Sequence, residues 1–296
     1  VSLDGPFLSY AAARWLGYLA AFLLIGVAGY GRVLRRTSAF ESWPPPLVRL
    51  ARGAAVLLAI SLLARSYLQC RTLLEPEDPL TLEFVVAVLQ STWGRGWLAQ
   101  GTAGIVALVV WRSIGKRPSR LALPALAAAA VAAAAPWTGH AVGLAEAPRW
   151  APLADLVHFG AAAAWLGGLA TMVTLFRDPS RRALDLVEAF SPLALRAGVL
   201  AMAAGALLSV SYLGGIGHLD RLVTTEYGRA LTLKLLAIGL VAALGGYNWR
   251  VVLPALRSGH SAPIRRTAYA ELCAGALVLA ITAILVSLPA PGELAE

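Results

Sequence analysis

Only four of the 296 residues are histidine, and their placement is uneven. His140, His158 and His218 lie near the ends of apolar runs, whereas His260 sits among arginines in a polar loop. His158 falls in ADLVHFGAAAAWLGGL, with Asp155 three residues before it and Trp165 seven after it. On a helix those offsets put all three on one face. A carboxylate so placed can fix the imidazole tautomer or bind a metal itself. His140 lies in PWTGHAVG, where Gly139 and Gly143 permit a tight loop; His218 lies in GGIGHLD beside Asp220. A single interfacial histidine commonly does no more than bond a carbonyl. Residues 1–138 contain no histidine at all, so three near run ends in the rest of the chain point to a shared metal site. His140 and His158 are its expected core, with Asp155 and His218 as further ligands. Imidazole suits copper, zinc, iron and nickel alike, so the ligands by themselves leave the metal open.

Ionisable groups inside apolar runs are a second set of candidates. Lys234 stands about 9 Å inside its run at ~1.5 Å rise per residue. Arg196 lies near the middle of another run and Glu271 in the inner part of the last. Such residues serve either interhelical ion pairs or a polar transport route. Met202 offers a soft sulfur as a second stop for an ion, while Met172 is expected to pack. Arg14 and Arg65, near run ends, are expected to snorkel toward the interface. Cys70 and Cys273 fall at opposite depths, which argues against a bond between them. Neither a Walker loop, a G-x-S-x-G elbow nor an H-E-x-x-H pair occurs, so no enzyme is expected.

The elements that position these groups follow from composition. The chain is 58% hydrophobic and 14% charged, with mean hydropathy +0.70. A soluble domain carries about 25% charged residues. An all-α polytopic membrane protein is therefore expected, surrounded by lipid, with backbone polar groups satisfied inside each helix. Eight runs approach the ~20 apolar residues a crossing needs: 7–31, 47–69, 83–111, 121–138, 152–176, 187–213, 228–249 and 267–288. The third carries Gly94, Arg95 and Gly96 near its start, and so is expected to begin as an interfacial segment. The opening VSLDGPF lacks a basic stretch, so no cleavable signal peptide is expected.

The net charge of +9 is not a nucleic-acid patch. Sixteen of the 25 basic residues fall in the loops after the first, third, fifth and seventh runs. These loops are expected to be cytoplasmic, which places both termini outside.

The chain also repeats itself. AAARWLGYLA at 11–20 returns as AAAAWLGGLA at 161–170, and STWGRGWLAQ at 91–100 is echoed by TEYGRALTLK at 225–234. The expected organisation is two parallel four-helix repeats, 1–138 and 139–296, related by an axis along the membrane normal.

GHAVG, DLVHFGAAAAWLGGL, FSPLALRAG and TTEYGRALTLKLLAIGLVAALGGYNWRVVLP together resemble the copper-resistance D (CopD) family of bacterial inner-membrane proteins. The likeness is close over 138–289 and looser before it. It implies an eight-span protein that takes copper at its periplasmic face for import or resistance, with His140 and His158 as ligands. It further implies a small periplasmic carrier of the copper-resistance C type as partner. Two methionines are few for a thioether-lined Cu(I) route. Two other functions fit the same residues: a haem-binding electron carrier with His axial ligands, and a metal-sensing or assembly protein that binds without transporting.

Overall fold

The computed structural model describes residues 4–37, 43–75, 77–114, 122–138, 148–177, 183–260 and 263–291. His140, Gly139, Gly143, Glu146 and the loop cations Lys116, Arg117, Arg120, Arg181 and Arg182 lie outside the described residues. Regular structure among the described residues is entirely helical. The first half holds α1 (Gly5–Thr37), α2 (Pro45–Thr72), α3 (Leu82–Gln90), α4 (Thr92–Ser113) and α5 (Leu123–Ala134), which runs on into a 3-10 turn, Ala135–Thr138. The second half holds α6 (Ala151–Leu175), α7 (Ala183–Tyr212), the short α8 (Arg221–Thr224) and α9 (Glu226–Tyr247). A π-helical turn, Asn248–Val252, leads from α9 into α10 (Leu253–Arg257), and α11 (Ile264–Leu285) closes the bundle.

Among the described residues, six helical segments are long and apolar enough to cross a membrane: α1, α2, α6, α7, α9 with its extension to Arg257, and α11. The protein is thus an all-α, multi-pass membrane protein. The run 83–111 is not one helix. Its chain bends at Ser91, whose extended backbone ends α3 and whose hydroxyl accepts the Gly94 N–H at 3.1 Å to start α4. Trp93, Arg95 and Gln100 dilute the apolar character of α4. The α5 segment with its 3-10 turn, Leu123–Thr138, is apolar but short. At the start of α9, Thr225 repeats the Ser91 cap, accepting the Gly228 N–H at 3.0 Å.

α1 is the central helix, packed against α2, α5, α6, α7 and α11. Helices in lipid lack a hydrophobic drive toward one another and rely on close backbone approach at small residues. α1 and α6 meet in this way: a Cβ on Gly26 would run into the Gly167 backbone, and one on Gly167 into the Phe22 carbonyl. Around that contact, the Trp15 indole donates to the Ala276 carbonyl at 3.1 Å, and Tyr30 Oη to the Leu186 carbonyl at 2.5 Å.

Arg14 Nη1 donates to the Val286 carbonyl at 2.7 Å, so the start of α1 and the end of α11 lie at one end of the bundle, the termini end. At the opposite, basic end, Arg52 Nε donates to the Trp111 carbonyl at 2.9 Å, and Arg257 pairs with Glu188 at 2.8 Å. Arg14 and Arg65 do not snorkel. They are only 6% and 5% exposed, because carbonyl, hydroxyl and amide partners inside the bundle hold them there. Cys70 is buried, Cys273 is exposed, and both are free thiols.

Candidate metal-handling cavity

A cavity of about 220 Å³ opens at the termini end between α1, α6, α7, α9 and α11. α6 contributes Asp155, His158 and Trp165 to its wall, α7 contributes Met202 and Ser209, and α9 contributes Lys234. The spacing of 155, 158 and 165 explains the first group, since one helix face points all three the same way.

His158 is held by α7. Its Nδ1 lies 2.7 Å from the Ala201 carbonyl oxygen. A carbonyl only accepts, so Nδ1 carries the proton and Nε2 keeps the lone pair that binds a metal or a proton. The ring also needs room: a Cβ on Gly205, one turn after Ala201, would stand 2.8 Å from Cε1 and 2.9 Å from Nδ1. Ala201 and Gly205 therefore act as a seat, one orienting the imidazole and the other making space for it.

The remaining polar groups set the charge. Asp155 and Lys234 attract one another across the cavity without closing to a direct ion pair. Farther from the termini end, the Trp165 side chain stands beside Glu271. Glu271 is 4% exposed and accepts a hydrogen bond from Asn248 Nδ2 at 3.0 Å. Asn248 begins the π-helical turn, and its Oδ1 is buried without a partner. Trp165 thus joins the cavity on one side to a buried carboxylate on the other.

The structure brings Asp155, His158, Met202 and Lys234 together. Met202, expected as a separate stop, lines the same cavity as His158. Glu271 lies beyond Trp165. His218 is exposed on the 3-10 turn Ile216–His218, and Arg196 is exposed on α7; neither lines the cavity. Among the described residues no three His, Cys, Asp or Glu side chains converge as a metal cluster. Gly205 and Asn248 were not singled out from the sequence as cavity or carboxylate partners. In AMAAGALLS a glycine has no distinguishing mark, because small residues are common throughout these helices.

Residues 3–150 match the family described as copper resistance protein D-like, N-terminal domain, and residues 184–285 match copper resistance protein D. The chain belongs to the copper resistance protein D family. It is 28% identical over 298 residues to copper resistance protein D of Pseudomonas syringae pv. tomato, covering 93% of this chain and 94% of that one. It is 34% identical over 165 residues to the copper transport protein CutJ of Bacillus subtilis (strain 168), covering 53% of this chain. That alignment takes in only 28% of CutJ's own length, so the chain spans a minor part of that relative. No solved structure matches the chain. Proteins of the copper resistance protein D type are transport or resistance factors rather than catalytic enzymes.

Proposed function

We propose that this protein takes copper at the termini end of the bundle, from the periplasmic side of a bacterial inner membrane, and passes it inward for import or resistance. The observation that carries this reading is the fixed tautomer of His158, which leaves Nε2 as a ligand in a cavity that Asp155 and Met202 also line. Copper is the cargo here. An imidazole nitrogen, a carboxylate and a thioether form a donor set copper accepts, with His140 as the further ligand the sequence suggests. Lys234 balances the charge of Asp155 before a cation arrives, and releases the carboxylate to the incoming ion. From His158 the route continues past Trp165 toward Glu271. His218 and Arg196 fall outside this route.

The proposed topology is eight crossings in two parallel four-helix repeats, 1–138 and 139–296, with both termini periplasmic. Three observations support it. α4, at 22 residues, is about 33 Å long, enough to span the hydrocarbon core. Ser91 and Thr225 cap corresponding helices in the same manner. α1 and α6, which carry the repeated decapeptide, pack against each other. A periplasmic carrier of the copper-resistance C type would deliver copper to the termini end.

Uptake of labelled copper into proteoliposomes tests the reading. His158→Ala is expected to lower uptake about tenfold or more, the scale on which metal sites respond to losses even around their ligands. Equal uptake by both proteins would remove His158 from the mechanism. Copper bound by the wild type without uptake would favour the sensing or assembly role, and a strong low-spin Soret band in the purified protein would favour the haem-carrying one.

A further inference from the structure

Beside the copper cavity lies a smaller one of about 30 Å³, lined by Tyr18, Arg65, Gln100, Thr138 and apolar side chains. Tyr18, Ala135, Thr138 and Phe159 belong to the walls of both. Arg65 is 5% exposed. Its Nη1 donates to Gln100 Oε1 at 3.2 Å and its Nη2 to Thr138 Oγ1 at 3.1 Å. Gln100 is itself fixed, its amide donating to Thr138 Oγ1 at 2.8 Å and to the Ala134 carbonyl at 3.1 Å. Next to Arg65 stands a second guanidinium, Arg14, 6% exposed, whose Nη2 donates to the Tyr10 hydroxyl at 3.3 Å, with the Tyr18 hydroxyl close by.

Every one of these partners is neutral. Amides, hydroxyls and carbonyls satisfy donors, but they do not cancel two like charges taken out of water. Among the described residues no carboxylate pairs with either guanidinium. Nε of Arg14 and Nε of Arg65 are both buried without an acceptor. The wider region is unbalanced in the same direction, with Arg14, Arg65 and Lys234 set against Asp155. A buried charge of this kind requires a counter-charge, and the cavity beside Arg65 has room for one or two water-sized species.

We propose that the small cavity binds a halide-sized monovalent anion, chloride in the cell, held by Arg65 with the Tyr18 hydroxyl and under the field of Arg14. A space of this size suits a halide better than a carboxylate metabolite or a lipid phosphate group. By offsetting the guanidinium charge one wall away from His158, the anion lowers the electrostatic barrier to a cation in the larger cavity.

The test needs no copper, so its outcome is separate from that of the copper reading. Full-length purified protein is titrated with sodium chloride against sodium gluconate at equal ionic strength. The apparent melting temperature is expected to rise saturably with chloride and stay flat with gluconate. The chloride effect is expected to vanish in Arg65→Gln and to persist in Lys234→Gln. Chloride-35 NMR on the wild type supplies a readout that does not depend on any variant folding: protein-dependent line broadening that bromide displaces is expected. Superimposable chloride and gluconate titrations together with no displaceable broadening, or a chloride effect undiminished in a folded Arg65→Gln, would overturn the proposal.

Discussion

His158 has two ring nitrogens, and the fold engages only one. The Ala201 carbonyl fixes Nδ1 as the donor, so the chemistry of the site rests on Nε2. Gly205 is the residue on which this depends most directly. In Gly205→Ala the new methyl would meet Cε1 at 2.8 Å, and the imidazole must swing away from its seat. Copper uptake is expected to fall toward the level of His158→Ala. Helix content measured by circular dichroism should not fall, because alanine is about 1 kcal/mol better than glycine in a helix interior. Unchanged uptake in this variant would mean that the ring orientation is irrelevant to transport. Met202 is 51% exposed and also lines the cavity.

At the scale of elements, the contact between α1 and α6 holds the two halves together. It is a backbone contact, so nothing at Gly26 or Gly167 can yield by a rotamer change. Gly167→Ala is expected to force the helices apart and destabilise the protein by about 3 kcal/mol, at or above the top of the usual range for overpacking. Thermal unfolding in detergent checks this. An alanine protein as stable as the wild type would show that the two helices slide freely. The same helices carry Tyr18 and Phe159, whose rings meet edge to face at 6.0 Å in the wall common to both cavities. A shift of α1 against α6 would therefore disturb the arginine pocket and the histidine seat at once.

At the scale of the whole molecule, the decisive quantity is which end faces which compartment. Arg52, Arg112 and Arg257 lie at one end, and Asp220 follows the 3-10 turn after α7 at the other. In a background carrying Cys70→Ser and Cys273→Ser, a cysteine at position 220 is expected to react with an impermeant thiol reagent on intact spheroplasts. A cysteine at position 257 should react only after permeabilisation. The reverse pattern would invert the topology and place the cavity that holds His158 at the cytoplasmic face.

Much of this was legible in the sequence. Long apolar runs with few charges require helices in lipid, because unpaired backbone groups are too costly there. The offsets among Asp155, His158 and Trp165 determined a common face, since the pitch of a helix is fixed. The basic loops marked one end of the bundle. The third run split at Ser91, a residue whose side chain competes for the backbone and caps a new helix. Only the tertiary structure decided the neighbours. Lys234 and Met202 share one cavity wall with His158, Trp165 stands beside Glu271, and Arg14 and Arg65 turn inward to Tyr10, Gln100 and Thr138. Periodicity reports which face of one helix matters and how deep a residue lies. It says nothing about which helix stands opposite, and in lipid that choice is made by close packing of small residues that look alike along the whole chain.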